Sequence, residues 1–567
     1  MSHSHHHPNS NLDFVQNSLN LLFDLGIRTV FAIPGAHIEH FILAIAKDNR
    51  FKLIIAAHEE GAGFIADGYF RKSNQVPIVA TINGPGATNL MTSVSTAQVD
   101  HSSIIYLTGD TAYSLKDMLA FQTSSQLSDY TGRMFRSILS KQIIPLCFND
   151  LYQGLNEYID DFRSNIHYPM HISLHNDISK LTQIECESYP VQASKNILRN
   201  YSFNLERSVL ILGEDIRNMD EINSVINYCS KHKIPIVCTL GAKNSQALIP
   251  KDIFCGVYGY AGHESAIDLV QSDHVERVYF LYTDLNERNT MAWSSTLFKE
   301  NREVFAISPY PTNHGIQEFT IKSIECSMGE FIKSCHISTV QDDWFKEYIY
   351  GSKNHLIEET KQLDMTSSIL IMNQMIDYTD NFVLDSGDHR IYGSLYWDVK
   401  KFNTFFTASK TAPMGWAIGA GIGVGIADTA HTTWVLTGDG CMLMHGNEIS
   451  VAQRYHTNVK FIVINNGSFG RIEYRLLNED DSIKNKIARL PYTSWVHYAN
   501  SFNIEAICVK TNQELVNAIK TAQEYNGPYL IEIMITIDNE TDIKSIFSST
   551  SKNFKPFWKE ENSNEKI

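Results

Sequence analysis

The chain alternates short, nearly continuous apolar runs with longer stretches of helical period. In its first third the runs are Thr29 to Ile33, Lys52 to Ala57, Ile78 to Ile82 and Ile104 to Thr108, each closed by Gly, Pro, Asp or His. Strands covered by helices on both faces read as unbroken apolar runs, which is the mark of βαβ units and a parallel sheet. A second series follows (Val209 to Gly213, Ile234 to Leu240, Val278 to Thr283, Val304 to Ile307), and then a third (Phe382 to Asp385, Thr433 to Thr437, Lys460 to Asn465, Tyr529 to Ile535). The pattern predicts an α/β chain of three doubly wound parallel-sheet domains. The boundaries fall at a tail of 1–11, a first domain of 12–188, a central domain of 195–341, a polar helical linker of 342–364, a third domain of 365–550 and a polar tail of 551–567. Three units agree with a 567-residue chain at roughly 100–200 residues per domain.

Composition removes several classes of function. The chain has 63 acidic and 47 basic residues and a net charge of −16, which argues against a nucleic-acid partner. A 43% hydrophobic content with 19% charged residues supports packed cores. Nine cysteines without a CxxC pair, and no apolar leader in Met1 to Pro8, point to reduced thiols and a cytoplasmic location. His3, His5, His6 and His7 read as a purification tag or an unstructured tail. The most apolar run, Trp416 to Ala427, falls short of the roughly 20 residues that span a bilayer, so no membrane role is expected.

The chemistry concentrates at Thr437-Gly438-Asp439-Gly440 and, after 24 residues, Asn465-Asn466-Gly467. Each half closes a predicted strand, with a helical pattern from about His445 to Arg454 between them. Ligands of open parallel sheets bind outside the carboxyl ends of neighbouring strands, where both halves fall. Gly438 and Gly440 let backbone approach a phosphate, and the following helix offers its first N–H groups to it. Asp439 and the Asn466 amide oxygen are hard ligands of the kind Mg²⁺ takes, the rest coming from diphosphate and water.

This pairing resembles the signature of thiamine diphosphate (ThDP) enzymes. The resemblance extends over nearly the whole chain to the acetohydroxyacid (acetolactate) synthase group, whose domains bind the pyrimidine, lie centrally and bind the diphosphate. It implies ThDP and Mg²⁺ as cofactors, with the Ser468 carbonyl joining Asp439 and Asn466 on the metal. His58-Glu59-Glu60-Gly61-Ala62 and Ala66-Asp67-Gly68-Tyr69 resemble the HEQGA…ADGYAR run, which makes Glu59 the catalytic glutamate, expected at a strand end. A carboxylic acid bonded to the aminopyrimidine favours the tautomer that removes the thiazolium C2 proton. Glu60 is expected to point elsewhere as a solvated or structural carboxylate.

Other segments extend the likeness. Ile33-Pro34-Gly35-Ala36 resembles the YPGG loop and Gly84 to Asn89 the GPGATN loop, which brings in Pro34, Gly35, Gly84 and Asn89. Ala120-Phe121-Gln122 resembles the AFQE segment bordering the substrate, with Thr123 in place of Glu. Asp385-Ser386-Gly387-Asp388-His389 resembles DVGQH, with Asp388 where Gln is usual. Ala412-Pro413-Met414-Gly415 resembles GTMG, so Met414 would be the apolar prop that bends the cofactor. Ala412 stands for a glycine whose contribution is a backbone carbonyl. Gly387, His389, Cys441, Phe469 and Gly470 complete the implied cofactor contacts.

Two departures bear on substrate and cofactor. Relatives that make branched-chain amino-acid precursors carry a Trp a few residues past NNG, and Arg475 stands there, after Gly470-Arg471-Ile472-Glu473-Tyr474. A cation beside Ile472 suits a polar or anionic acceptor, such as a hydroxylated or nucleotide-linked sugar; a solvent-facing Arg475 is the plain alternative. Leu212-Gly213, Thr239 to Lys243, Gly259 to Gly262 and Asp284 to Arg288 follow the order of the FAD-binding domain, yet Ala306-Ile307-Ser308 replaces the usual Asp-Ile-Asp, so FAD stays open.

The resemblance therefore implies a carboligase that decarboxylates a 2-oxo acid, pyruvate first, and passes the two-carbon unit to a carbonyl acceptor. It also implies a homodimer or homotetramer with sites between subunits. The alternatives are an acetolactate synthase of branched-chain amino-acid biosynthesis, a branched-sugar-forming carboligase, and a pyruvate oxidase or decarboxylase. The decarboxylase is disfavoured because the only adjacent histidines lie in the tail. A catalytically silent regulatory relative is the alternative outside enzymes, and intact Glu59, Asp439 and Asn466 argue against it.

Overall fold

The computed structural model describes residues 14–115, 130–178, 202–309, 321–337, 344–352, 361–476 and 478–535. The first series of runs forms β1 (Thr29–Ala32), β2 (Lys52–Ile55), β3 (Ile78–Ile82), β4 (Ile105–Asp110), β5 (Lys141–Ile143) and β6 (Met170–His175), in the order β2-β1-β3-β4-β6-β5. Then β7 (Phe203–Asn204) leads into β8 (Ser208–Leu212), β9 (Ile236–Cys238), β10 (Phe254–Val257), β11 (Arg277–Leu281), β12 (Glu303–Ser308) and β13 (Ile321–Glu325); β14 (Cys335–His336) returns to pair with β7. The central order is β10-β9-β8-β11-β12-β13. The third sheet has β15 (Asn381–Leu384), β16 (Phe405–Phe406), β17 (Thr433–Gly438), β18 (Val459–Asn465), β19 (Glu505–Val509) and β20 (Tyr529–Met534), in the order β16-β15-β17-β18-β20-β19. All ladders within the three sheets are parallel.

The winding reverses between β1 and β3, between β8 and β11, and between β15 and β17. A reversal opens a crevice at the strands' carboxyl ends, because the flanking loops leave toward opposite faces. The motif loops follow the strands at these crevices.

The apolar run Trp416–Ala427 is an interdomain helix, buried from Trp416 to Ile426 against the helix Glu59–Ser73. Its glycines explain the close crossing: a Cβ at Gly423 would collide with the Ile65 carbonyl, and one at Gly68 with the Ala420 backbone. Beside the crossing, Asp67 accepts from Trp416 Nε1 at 2.8 Å and from Arg71, which also pairs with Asp100 at 2.7 Å. Buried charges here are paired and hydrogen-bonded, as burial demands. No helix among the described residues is long and apolar enough to cross a membrane.

The central sheet grips the third through Lys243, fully buried, which donates to the carbonyls of Gly393 and Ser394 in the helix Asp388–Tyr396. Part of the expected linker is packed rather than free. Phe345 is 1% exposed in the central core, and Tyr350 stacks on His263 at 4.1 Å. Among its described residues the helical portion is a single 3₁₀ turn, Lys346–Tyr348.

Three local expectations are corrected. The strand expected to reach Ala57 ends at Ile55, because His58 caps the next helix and its Nδ1 accepts from Glu60 N at 3.2 Å. Glu59 and Glu60 are therefore the first two helical residues, not a strand end. The helix expected from His445 starts at Asp439 and runs to His445, followed by a 3₁₀ turn and the helix Ile449–Arg454. Cys147 is disulfide-bonded, against the expectation of reduced thiols, while seven other described cysteines are free.

Candidate active site

The third sheet builds a recessed, half-open corner. Asp439 opens its helix as β17 ends, and its carboxylate accepts from Gly440 N and Gly467 N, both at 2.7 Å. One side chain thereby ties the end of β17 to the loop after β18. At 5% exposure, burial raises the Asp439 carboxyl to about 6 against its backbone hydrogen bonds. Of the two asparagines, Asn465 is buried and structural, donating to Glu532 Oε1 at 2.6 Å, whereas Asn466 is half-buried and lines the cavity. Residues 488–490 bolt the loop in place: Phe469 N donates to Ala488 O and Leu490 N to Gly467 O, both at 2.8 Å, and Ser468 bridges to Arg489.

Across the corner, Gly387 (φ +153°) leads into Asp388 and His389 at the start of their helix. His389 is 4% exposed, its Nε2 has no partner among the described residues, and burial holds it neutral with a pKa lowered to about 3. Burial likewise pushes Asp388 up to about 6. Asp385 braces the wall: Oδ1 accepts from Ser386 N (2.8 Å) and Gly415 N (3.0 Å), and Oδ2 from Thr437 Oγ1 (2.7 Å). It thus fixes the loop of Met414 against β17. Ala412 has φ +52°, in the left-handed region where glycine is at home, which explains why a glycine suits this position.

Gly387, Asp388, His389, Met414, Gly438, Asp439, Gly440, Cys441, Asn466, Ser468, Phe469, Gly470, Ile472 and Arg475 all line one cavity of about 820 Å³, and Ala412 does not. A Cβ at Gly440 would come 2.8 Å from the Phe469 ring and 3.1 Å from Met414 Cε; one at Gly470 would come 2.7 Å from Asp388 Oδ2. Those spaces suit a group that backbone must approach closely. The orphaned His389 Nε2 suits an anionic acceptor there, and the Asp439 and Asn466 oxygens suit a hard cation. The residues present fit a metal-bound diphosphate.

The first sheet gathers a second group. Glu59 Oε2 accepts from Asn89 Nδ2 at 3.0 Å, and His58 Nε2 lies 3.9 Å from the same oxygen. Gly84, at φ +63°, turns the chain into the short helix Pro85–Asn89, while a Cβ at Gly35 would collide with Ile82 at the end of β3. The loops of Pro34-Gly35, Glu59 and Gly84 to Asn89 thus follow three neighbouring strands. None of these residues lines the 820 Å³ cavity. Behind Glu59 lies Glu448, which the sequence reading missed because it looks like one charge in a helical run. It is 0% exposed, accepts from Ala57 N at 3.3 Å and is pushed up to about 7 by burial. Glu60, expected as a solvated or structural carboxylate, is half-buried, 3.7 Å from His445 Nε2, and raised by burial. Phe121 and Gln122 lie outside the described residues.

The central segments meet at the carboxyl ends of β8, β9, β10 and β11. There Glu214 accepts from Thr239 Oγ1 (2.8 Å) and Thr283 Oγ1 (3.0 Å), and buried Lys410 pairs with Asp215 (3.3 Å) and Asp284 (2.9 Å). Leu240, Tyr258, Tyr260 and Arg288 carry the cavity wall from this crevice to the diphosphate corner.

The chain resembles known proteins over most of its length. Residues 15–129 match the family model of the thiamine pyrophosphate enzyme N-terminal TPP binding domain, and 385–533 that of the C-terminal TPP binding domain. The chain is 22% identical to the acetolactate synthase large subunit of Lactococcus lactis, over 91% of this chain and 92% of that protein. It is 23% identical to the mitochondrial acetolactate synthase catalytic subunit of Saccharomyces cerevisiae, over 90% and 78%. A solved structure from Mycobacterium smegmatis, described as a thiamin diphosphate-dependent enzyme, superposes with a TM-score of 0.72 at 16% identity, covering 93% of this chain and 99% of that one.

Proposed function

The chain belongs to the thiamine diphosphate-dependent enzymes, in their acetolactate synthase-like group, and from that premise we propose a carboligase that decarboxylates pyruvate and transfers the two-carbon unit to a polar carbonyl acceptor. When bound, ThDP supplies the electron sink that lets CO₂ leave a 2-oxo acid. Asp439 and Asn466, with the Ser468 carbonyl, would hold Mg²⁺, and His389 Nε2 would donate to the diphosphate. Gly438 and Gly440 keep the wall open, and Met414 would give the cofactor an apolar support. Glu59, bonded by Asn89, would hold the proton at the pyrimidine ring. Glu59 lies off the cavity, which supports a site completed by a second copy of the chain, in at least a homodimer.

The observation that carries this reading is the buried Asp439 carboxylate joining two strand ends beside the unpartnered His389 Nε2. Arg475 on the cavity wall supports a polar acceptor, while the relatives support acetolactate synthase, with a second pyruvate as acceptor, as the other reading. The reaction has no net redox step, so FAD, if carried, is structural; a visible spectrum of the purified protein decides its presence. Pyruvate, ThDP and Mg²⁺ supplied with and without candidate acceptors should release CO₂ and form the carboligation product. Acetolactate from pyruvate alone, with no gain from other acceptors, favours the second reading; oxygen consumption favours an oxidase. Full activity in Glu59→Gln would overturn the assignment.

A further inference from the structure

Toward the central sheet, the cavity wall becomes cationic. Arg390 lines it at 9% exposure, and its Nη1 donates to the neutral Ala408 carbonyl at 3.0 Å. Arg288, on the loop after β11, lines the same cavity. Burial first, and the like charge of Arg288 second, bring Arg390 down to about 9; Asp385 and Asp100 attract it too weakly to offset them. Asp385 is already engaged by Ser386, Gly415 and Thr437. From the third sheet, Arg471 and Arg475 line the wall, and Arg471 reaches the Tyr260 hydroxyl of the central unit.

The acids on this wall are Asp388 and Asp439, both on the diphosphate corner, and Glu287 next to Arg288. The corner is served by His389, the helix starting at Asp439 and the metal ligands. Arg390 and Arg288 therefore hold positive charge beyond what the diphosphate uses. Packing guanidinium groups together costs free energy unless an anion arrives. One fork satisfies a carboxylate, whereas several converging forks match the three oxygens and double charge of a phosphoryl group.

Resting on the carboligase reading, we propose that the carbonyl acceptor carries a phosphoryl group, gripped by Arg390 and Arg288 with Arg475 as a third donor. The acceptor class is a sugar phosphate or a nucleoside-diphosphate sugar, which share that chemistry.

The test is calorimetric titration of the protein loaded with ThDP and Mg²⁺, so that the diphosphate corner is filled. The probes are glyceraldehyde, glyceraldehyde 3-phosphate and uridine diphosphate, the last two separating the sugar-phosphate and nucleotide sources. At least one phosphorylated probe should bind about tenfold or more tighter than glyceraldehyde. Arg390→Gln and the exposed Arg475→Ala should each reduce that preference several-fold, with thermal unfolding confirming that both fold. Equal binding of all three probes overturns the proposal, as does a preference that survives in both variants. So does a cavity that binds FAD through Arg390 while showing no preference among the probes. Acceptor-free CO₂ release from pyruvate is followed in parallel. Failure of the carboligase reading then shows as absent CO₂, and failure of the anion grip as lost discrimination.

Discussion

The first and third sheets each gather their motif loops where the winding reverses, yet the two gatherings differ in closure. Around Asp439, His389 and Met414 the third sheet shares with the central one a half-open cavity of about 820 Å³, with Asp439 at 5% and His389 at 4% exposure. Around Glu59 the first sheet presents a half-buried carboxylate bonded to an exposed Asn89. The third-sheet corner is closed from its own chain, by residues 488–490 and by the central sheet through Tyr258 and Arg288. The first-sheet group has a back, formed by Glu448 and the helix crossing, and no front among the described residues. On the proposed reading, a single chain carries both halves of a ThDP site, and Glu59 of one half does not line the cavity of the other.

That comparison can be broken at each half. The largest expected effect is Glu59→Gln, which should lower kcat by about 10²–10⁴, the usual range for an acid–base group, while ThDP binding by calorimetry stays near wild type. Asp439→Ala should act on binding instead, weakening Mg²⁺-dependent ThDP affinity beyond the roughly 10–100-fold typical of outer-shell changes. If the two variants lost the same quantity, the division of labour between the sheets would be wrong.

The shared back comes next. Gly423→Ala drives a Cβ into the Ile65 carbonyl at the helix crossing and should cost about 2–3 kcal/mol in denaturant unfolding. The folded Glu448 carboxyl, at about 7, lies above its ordinary value of 4.5. Its contribution is complete below the lower value and lost as pH rises through the upper one. Relative to Glu448→Gln, the wild type should therefore lose stability between about pH 5 and 8, by at most about 1.4 kcal/mol per pH unit, and matching pH profiles would contradict this. The smallest effect is Ala412→Gly, which relieves a left-handed φ and should stabilise by about 0.5–1 kcal/mol after the unfolded-state entropy of glycine is counted.

Legibility in the sequence followed the reach of each interaction. Nearly continuous apolar runs such as Ile78–Ile82 and Val459–Asn465 were readable because burial on both faces leaves no polar position to break them. Strands with polar faces, such as Ile321–Glu325, were not readable. Asp439 and Asn466 were visible because their motif sits at two adjacent strand ends. Glu59 was visible through its neighbours, but the helix start it occupies depends on the His58 cap, which an apolar pattern does not register. Glu448, the span of Asp385 and the bolt at residues 488–490 were hidden, since each acts on backbone far away in the chain. In the sequence Arg390 is one cation in a helical run, and only the fold brings it near Arg288.

The claim that the two halves meet only across copies has a direct test. Glu59→Gln and Asp439→Ala chains, each inactive alone, are co-refolded or co-expressed, and pyruvate decarboxylation is measured. A site shared between subunits leaves one intact site in each mixed dimer, so about a quarter of wild-type activity should return if pairing is random. A mixture as inactive as its components would mean that Glu59 and Asp439 serve the same chain's site, and would contradict the account.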